Sequence, residues 1–188
     1  IQSTKKYAPP IYGLLIKISI LRHYVLVGKE AEAFKQLDIL QTKIDPPLDN
    51  FVTIGRILLH LKLKNAPEAE KLLPAVEEYI KTTNLKQLMG FVYDTKGKIN
   101  EMKAEYQQAI RNFESHLEID PLDTSTYRSI GRCYRHLKQY KKAEELIQKN
   151  LKIQPFNPNS NYELALVYLD QGKKDQAIKH LKIALDIW

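Results

Sequence analysis

Apolar residues recur through most of the chain at steps of three and four, the spacing of one buried helix face. Tyr127, Ile130, Gly131, Tyr134 and Leu137 form one such stripe. After a polar bend at Lys138–Lys142, Ala143, Leu146, Ile147 and Leu151 form a second, which Pro155 ends because its ring and missing N–H cannot continue a helix. The pattern then returns with a fixed period. Ala109, Ala143 and Ala177 are 34 residues apart, and the same step links Pro121 to Pro155, Tyr134 to Tyr168, Gly131 to Ala165 and Arg22 to Arg56. A repeated helix pair is therefore expected, in units of about 11–47, 48–82, 83–123, 124–157 and 158–188, after a tail over 1–10.

Glycines fit this plan. Gly28, Gly97 and Gly172 are expected at bends, where a positive φ suits glycine. Gly90, Gly131 and the less secure Gly55 are expected inside first helices, where a missing side chain lets helices approach. A helical glycine costs about 1 kcal/mol against alanine, so close packing is the expected reason. The segments Tyr127–Ile130–Gly131–Tyr134–Ala143–Pro155 and Leu164–Ala165–Tyr168–Gly172–Ala177 resemble the tetratricopeptide repeat (TPR) family. The resemblance implies an all-α fold of antiparallel helix pairs stacked as a right-handed superhelix, an α-solenoid, with a concave groove lined by first helices.

Toward the N-terminus the pattern loosens. Leu21 takes the small-residue place of the first unit, and Pro67 and Pro74 in the second are expected to distort its second helix. In the third unit Gly97 precedes Ala109 by twelve residues, where Gly28–Ala33 and Gly172–Ala177 span five. Seven extra residues are about two helical turns. This spacing predicts a longer second helix, capped by Asn100, running to Ile119 and projecting over Glu101–Gln107. At the far end Ile183, Leu185 and Ile187 lack a polar closing helix, which terminal repeats need. That end, with Ile1 in place of Met, reads as a module of a longer polypeptide or a site of self-association.

Composition narrows the function classes. The single cysteine, Cys133, excludes an internal disulfide and a Cys-rich zinc site. The most apolar run, Ile11–Val27, holds Lys17, Arg22 and His23 and falls short of the roughly 20 clean residues of a membrane span. The five histidines form no metal-binding pair, and Gly90–Lys98 departs from a phosphate loop in spacing and in lacking Ser or Thr after Lys98. No enzyme, metal or cofactor is expected, and the compartment stays open, cytoplasm and periplasm both being compatible.

Charge is more informative. The net charge of +7 divides into 23 lysines and six arginines, of which five lie in first helices. Arg128, Arg132 and Arg135 follow i, i+4, i+7 and share one helix face opposite the apolar stripe. In the family's geometry that face points into the groove, with Arg22 and Arg56 in the place of Arg132. Gln87, Phe91, His136, Asn159 and Tyr162 complete the candidate lining. Guanidinium forks bind carboxylates in a bidentate manner, so an acidic peptide or a C-terminal carboxylate is the expected ligand. Family members that grip acidic chaperone tails use a Lys/Asn clamp, whereas the matching places here carry Gln87, Phe91 and Arg128. The competing expectation is that Asp94, Glu163 or Asp170 neutralises the arginines as ordinary ion pairs. The leading function is thus a protein–protein interaction scaffold. The alternatives are a basic helical nucleic-acid binder, disfavoured by dispersed lysines, and a structural or dimerisation module of a larger enzyme.

Overall fold

The computed structural model describes Tyr24, 27–44 and 49–187; the tail over 1–10, Leu21, Arg22 and the Ile11–His23 part of the apolar run lie outside the described residues. Nine α-helices are present among the described residues: α1 (Glu30–Gln41), α2 (Asp49–Lys62), α3 (Ala66–Thr82), α4 (Met89–Met102), α5 (Tyr106–Ile119), α6 (Thr124–His136), α7 (Tyr140–Ile153), α8 (Pro158–Asp170) and α9 (Lys174–Ile187). A short 3-10 turn, Lys86–Leu88, precedes α4. The chain divides into two compact units, Ile1–Lys86 and Gln87–Trp188.

In the first unit Ala33, Leu37 and Leu40 of α1 pack with Phe51, Val52 and Leu59 of α2. The second helix of its complete pair, α3, carries Ala69, Leu73, Val76 and Ile80 on its buried face. Asn65 caps it by accepting from the Glu68 N–H at 3.4 Å, and Pro67 sits in the first turn, where a missing donor is harmless. The helix is not divided at Pro74, and its 17 residues make it the longest described.

The second unit holds three helix pairs, α4–α5, α6–α7 and α8–α9. Ala109, Ile110 and Phe113 of α5 meet Ile130 and Cys133 of α6. Ala143 and Ile147 of α7 meet Leu164, Ala165, Val167 and Tyr168 of α8 and Ala177 of α9. Tyr127 and Ala184 are also buried, whereas Tyr134, Leu146 and Leu181 are half-buried at the core's margin.

The third repeat corrects the sequence reading. No bend forms at Gly97, and Asn100 caps nothing: α4 runs through both to Met102. The bend falls at Lys103–Glu105, and α5 has 14 residues, the same as α7 and α9. No projecting segment over Glu101–Gln107 exists. The cause is packing. A Cβ on Gly97 would lie 2.5 Å from the buried Phe113 ring, and one on Gly131 would lie 2.6 Å from Ile147. Gly97 and Gly131 are thus points of close approach one repeat apart, facing Phe113 and Ile147 at the same step, and the buried Ala165 continues the series along the sequence. Gly90, at the start of α4, would meet neighbours only at ordinary contact distances.

Bends are made by backbone pattern. At the end of α6 the Gln139 N–H bonds to the Tyr134 carbonyl and the Lys138 N–H to that of Arg135, with Lys138 at φ +58°. This is the Schellman arrangement, which needs one left-handed residue. Ala104 and Gly172 hold the same place one repeat before and after, at φ +60° and +74°.

Polar side chains tie two of the pairs together at their other end. The buried Asn150 donates through Nδ2 to the Thr124 carbonyl, and its Oδ1 accepts from the Ser160 hydroxyl at 2.9 Å. His116, one repeat earlier, lies 2.9 Å from the Gly90 carbonyl through Nδ1. Asp123 caps α6 by accepting from the Ser125 N–H at 3.1 Å and the Thr126 hydroxyl at 2.5 Å. Burial raises the pKa of its carboxyl, but these hydrogen bonds and the nearby His116 outweigh that and hold it below the usual aspartate value.

Candidate functional site

The second face of α6 is made by the residues that the core leaves over. Tyr127, Ile130 and Cys133 turn inward, which places Arg128, Arg132 and Arg135 on the remaining face. The structure treats the three differently.

Arg132 lies between two carboxylates. Its Nε and Nη2 donate to the two oxygens of Glu101 on α4, the latter at 2.8 Å, and Nη1 donates to Glu163 on α8 at 3.2 Å. The side chains of Glu101 and Glu163 are only 14% and 10% exposed, and that of Arg132 is 30% exposed. Burial on this scale strengthens the attraction and penalises any unpaired member. The hydrogen bonds from Arg132 to Glu101 are the largest influence on its pKa and outweigh desolvation, holding the guanidinium well above its usual value.

Arg135 donates to Asp170 at 3.0 Å. In the other unit Arg56 donates to Asp38 at 2.6 Å. Asp94, the other expected acid, bonds Lys98 on its own helix at 2.6 Å.

Arg128 is the exception. It is half-buried and has no hydrogen bond or ion pair among the described residues. Burial and the neighbouring positive charge of Arg132 pull its pKa below the usual arginine value, although the charges of Glu163, Asp123 and Glu101 act the other way. Oε2 of Glu163 is buried without a hydrogen-bond partner among the described residues.

The remaining candidates scatter. Tyr162 is exposed on α8, one repeat after Arg128, with Asn159 exposed near the start of that helix. Phe91 is half-buried on α4, and Gln87 is exposed in the turn before it. His136 stacks on Tyr106, ring centroids 4.6 Å apart and planes 2° from parallel, which places it against α5. Its pKa is lowered, first by burial and then by Arg135. Lysines lie elsewhere: Lys149 sits 4.5 Å from the Tyr127 ring and Lys142 5.2 Å from that of Tyr134.

Glu101 was not a sequence candidate, because it lay in the segment expected to project. A signal was present. Glu101, Arg132 and Glu163 are spaced by 31, one repeat less about one helical turn, which offsets side chains along neighbouring first helices.

No group of three or more His, Cys, Asp and Glu side chains among the described residues is placed to hold a metal ion. Burial is the main reason the Cys133 thiol is pushed up to about 12, far from the range of reactive thiolates. No helix among the described residues is long and apolar enough to cross a membrane.

Comparison with known proteins places this arrangement. Residues 84–116 match a family model described as tetratricopeptide repeat, and residues 102–184 match that of the anaphase-promoting complex, cyclosome, subunit 3. Over 86 residues, 46% of the chain, the sequence is 27% identical to anaphase-promoting complex subunit 3 of Schizosaccharomyces pombe, and it spans 13% of that relative's length. A tetratricopeptide repeat protein from Parabacteroides merdae superposes with a TM-score of 0.75 at 20% identity, over 93% of this chain and 65% of that one. For the signal-transduction ATPase of Pyrococcus horikoshii with a tetratricopeptide repeat sensor the values are 0.73 and 22%, over 91% and 28%. MamA from Desulfovibrio magneticus gives 0.62 and 16%, over 93% and 94%.

Proposed function

Taking as premise that this chain is an all-α solenoid of tetratricopeptide repeats, we propose that it binds an acidic peptide segment, or a chain's C-terminal carboxylate, along its first-helix groove. Repeats of this type mediate protein–protein interaction and are typically non-enzymatic. The finer reading rests on one observation, the half-buried Arg128 with no ion-pair partner among the described residues. Arg132 and Arg135 already have carboxylates. Their role is to hold the helix face and its field, leaving Arg128 to take the ligand's anion. A partly desolvated guanidinium gains more from a carboxylate than an exposed one does, because water competes less. Tyr162 and Asn159 supply an aromatic surface and a hydrogen-bonding amide on the next first helix; Phe91 on the preceding one and Gln87 in the turn before it do the same.

Fluorescence anisotropy with labelled Asp/Glu-rich peptides, carrying free or amidated C-termini, tests this. Arg128→Ala is expected to weaken binding about tenfold or more while the circular dichroism and melting curves stay as in the parent. The free-versus-amidated comparison separates a terminal carboxylate from side-chain carboxylates. A folded Arg128→Ala protein that binds as tightly as the parent would overturn the proposal.

A further inference from the structure

The turns between repeats carry a pattern that the groove does not use. Residues 120–123 and 154–157 form the same four-residue turn, closed by Asp123 N–H to the Asp120 carbonyl at 3.2 Å and by Asn157 N–H to that of Gln154 at 3.1 Å. Each has proline second, which presets φ, and a large apolar residue third. Those residues, Leu122 and Phe156, are 73% and 78% exposed, the two most exposed large hydrophobics described. Ile119 and Ile153, just before the turns, are 41% and 42% exposed. The Tyr127 hydroxyl donates to the Pro121 carbonyl at 2.9 Å, which anchors the first turn. Scattered exposed leucines need no explanation, but large exposed apolar residues at the same place of two successive turns do.

Flanking charge reverses between the two turns. The first reads Glu-Ile-Asp-Pro-Leu-Asp over 118–123, and the second Lys-Ile-Gln-Pro-Phe-Asn over 152–157. The apolar skeleton is shared, yet Glu118 becomes Lys152, and Asp120 and Asp123 become amides. Neither the Glu118 nor the Lys152 side chain has an ion pair among the described residues, and both residues are exposed. A twofold axis between the turns would set Leu122 against Phe156 of a second copy. The same operation would set Glu118 against that copy's Lys152, and every contact would occur twice.

We propose that this turn ridge is a self-association surface, joining two copies of the chain through Leu122–Phe156 and Glu118–Lys152 contacts about a twofold axis. Self-complementary patches of this kind are what isologous dimers require. The patch is small, so the dimer is weak, with a dissociation constant between about 10 µM and 1 mM.

Sedimentation equilibrium of the full 188-residue chain across that range tests it. The parent is expected to show monomer–dimer exchange, and Leu122→Asp or Phe156→Asp to raise the dissociation constant about tenfold or more with unchanged helicity. Glu118→Lys and Lys152→Glu alone are expected to weaken the dimer, and the double variant to restore it, because like charges then become opposite again. A monomeric parent at about 1 mM, a dimer indifferent to Phe156→Asp, or a double variant no better than the singles would overturn the proposal. So would a dimer lost in Leu185→Asp but kept in Phe156→Asp, since Leu185, exposed on α9, belongs to neither turn.

Discussion

Single residues decide what the Arg face can do. Arg132 has two nearly buried carboxylates for partners, so it is part of the frame. Arg128 has none among the described residues. Their stability effects should differ accordingly. Truncating Arg132→Ala leaves Glu101 and Glu163 facing each other without a cation, at an expected cost of about 2–4 kcal/mol, discounted because the guanidinium is partly exposed. Arg128→Ala should stay within about 0.5 kcal/mol, since no bond is lost and the repulsion with Arg132 is relieved. Urea denaturation of the two variants checks this, and equal costs would remove the distinction on which the binding proposal depends. The i, i+4, i+7 spacing was legible in the sequence as one face. Which arginine stays unpaired was not, because the Glu101 and Glu163 carboxylates come from helices 31 residues away on each side.

At the scale of helices and bends, Gly97 carries the lesson. Local punctuation assigned it to a bend, since glycine tolerates positive φ, but the chain spends that conformation on Ala104 and Lys138 and pays the strain there. Gly97 is needed where Phe113 crosses α4. Gly97→Ala is therefore expected to destabilise by about 1–2 kcal/mol, the overpacking penalty exceeding the helix-propensity gain of about 1 kcal/mol. Thermal melting of Gly97→Ala beside an alanine substitution at an exposed helix position checks the sign. A stabilised Gly97→Ala would mean that the Phe113 ring yields. Series at exactly one repeat were available in the sequence to correct the reading: Gly97, Gly131 and Ala165 share the step of Ala109, Ala143 and Ala177.

On the scale of the whole molecule, repeat proteins gain stability from nearest-neighbour interfaces, so a stretch holding several complete pairs can stand alone. Among the described residues, 87–188 contain three pairs and the core clusters that join α5 to α6 and α7 to α8 and α9. Expressed alone, they are expected to give a helical circular dichroism spectrum and a cooperative melt; a non-cooperative profile would show that this unit depends on the rest of the chain. The all-α class, the 34-residue period and most of the core followed from the sequence, because apolar spacing and small-residue positions reflect contacts inside one repeat. Three things were settled only by the tertiary structure: which glycine makes a bend and which a crossing, which arginines are neutralised, and that Leu122 and Phe156 stand in solvent. Each depends on atoms brought together from different helices or repeats, whose distances and solvent access no spacing along the chain specifies.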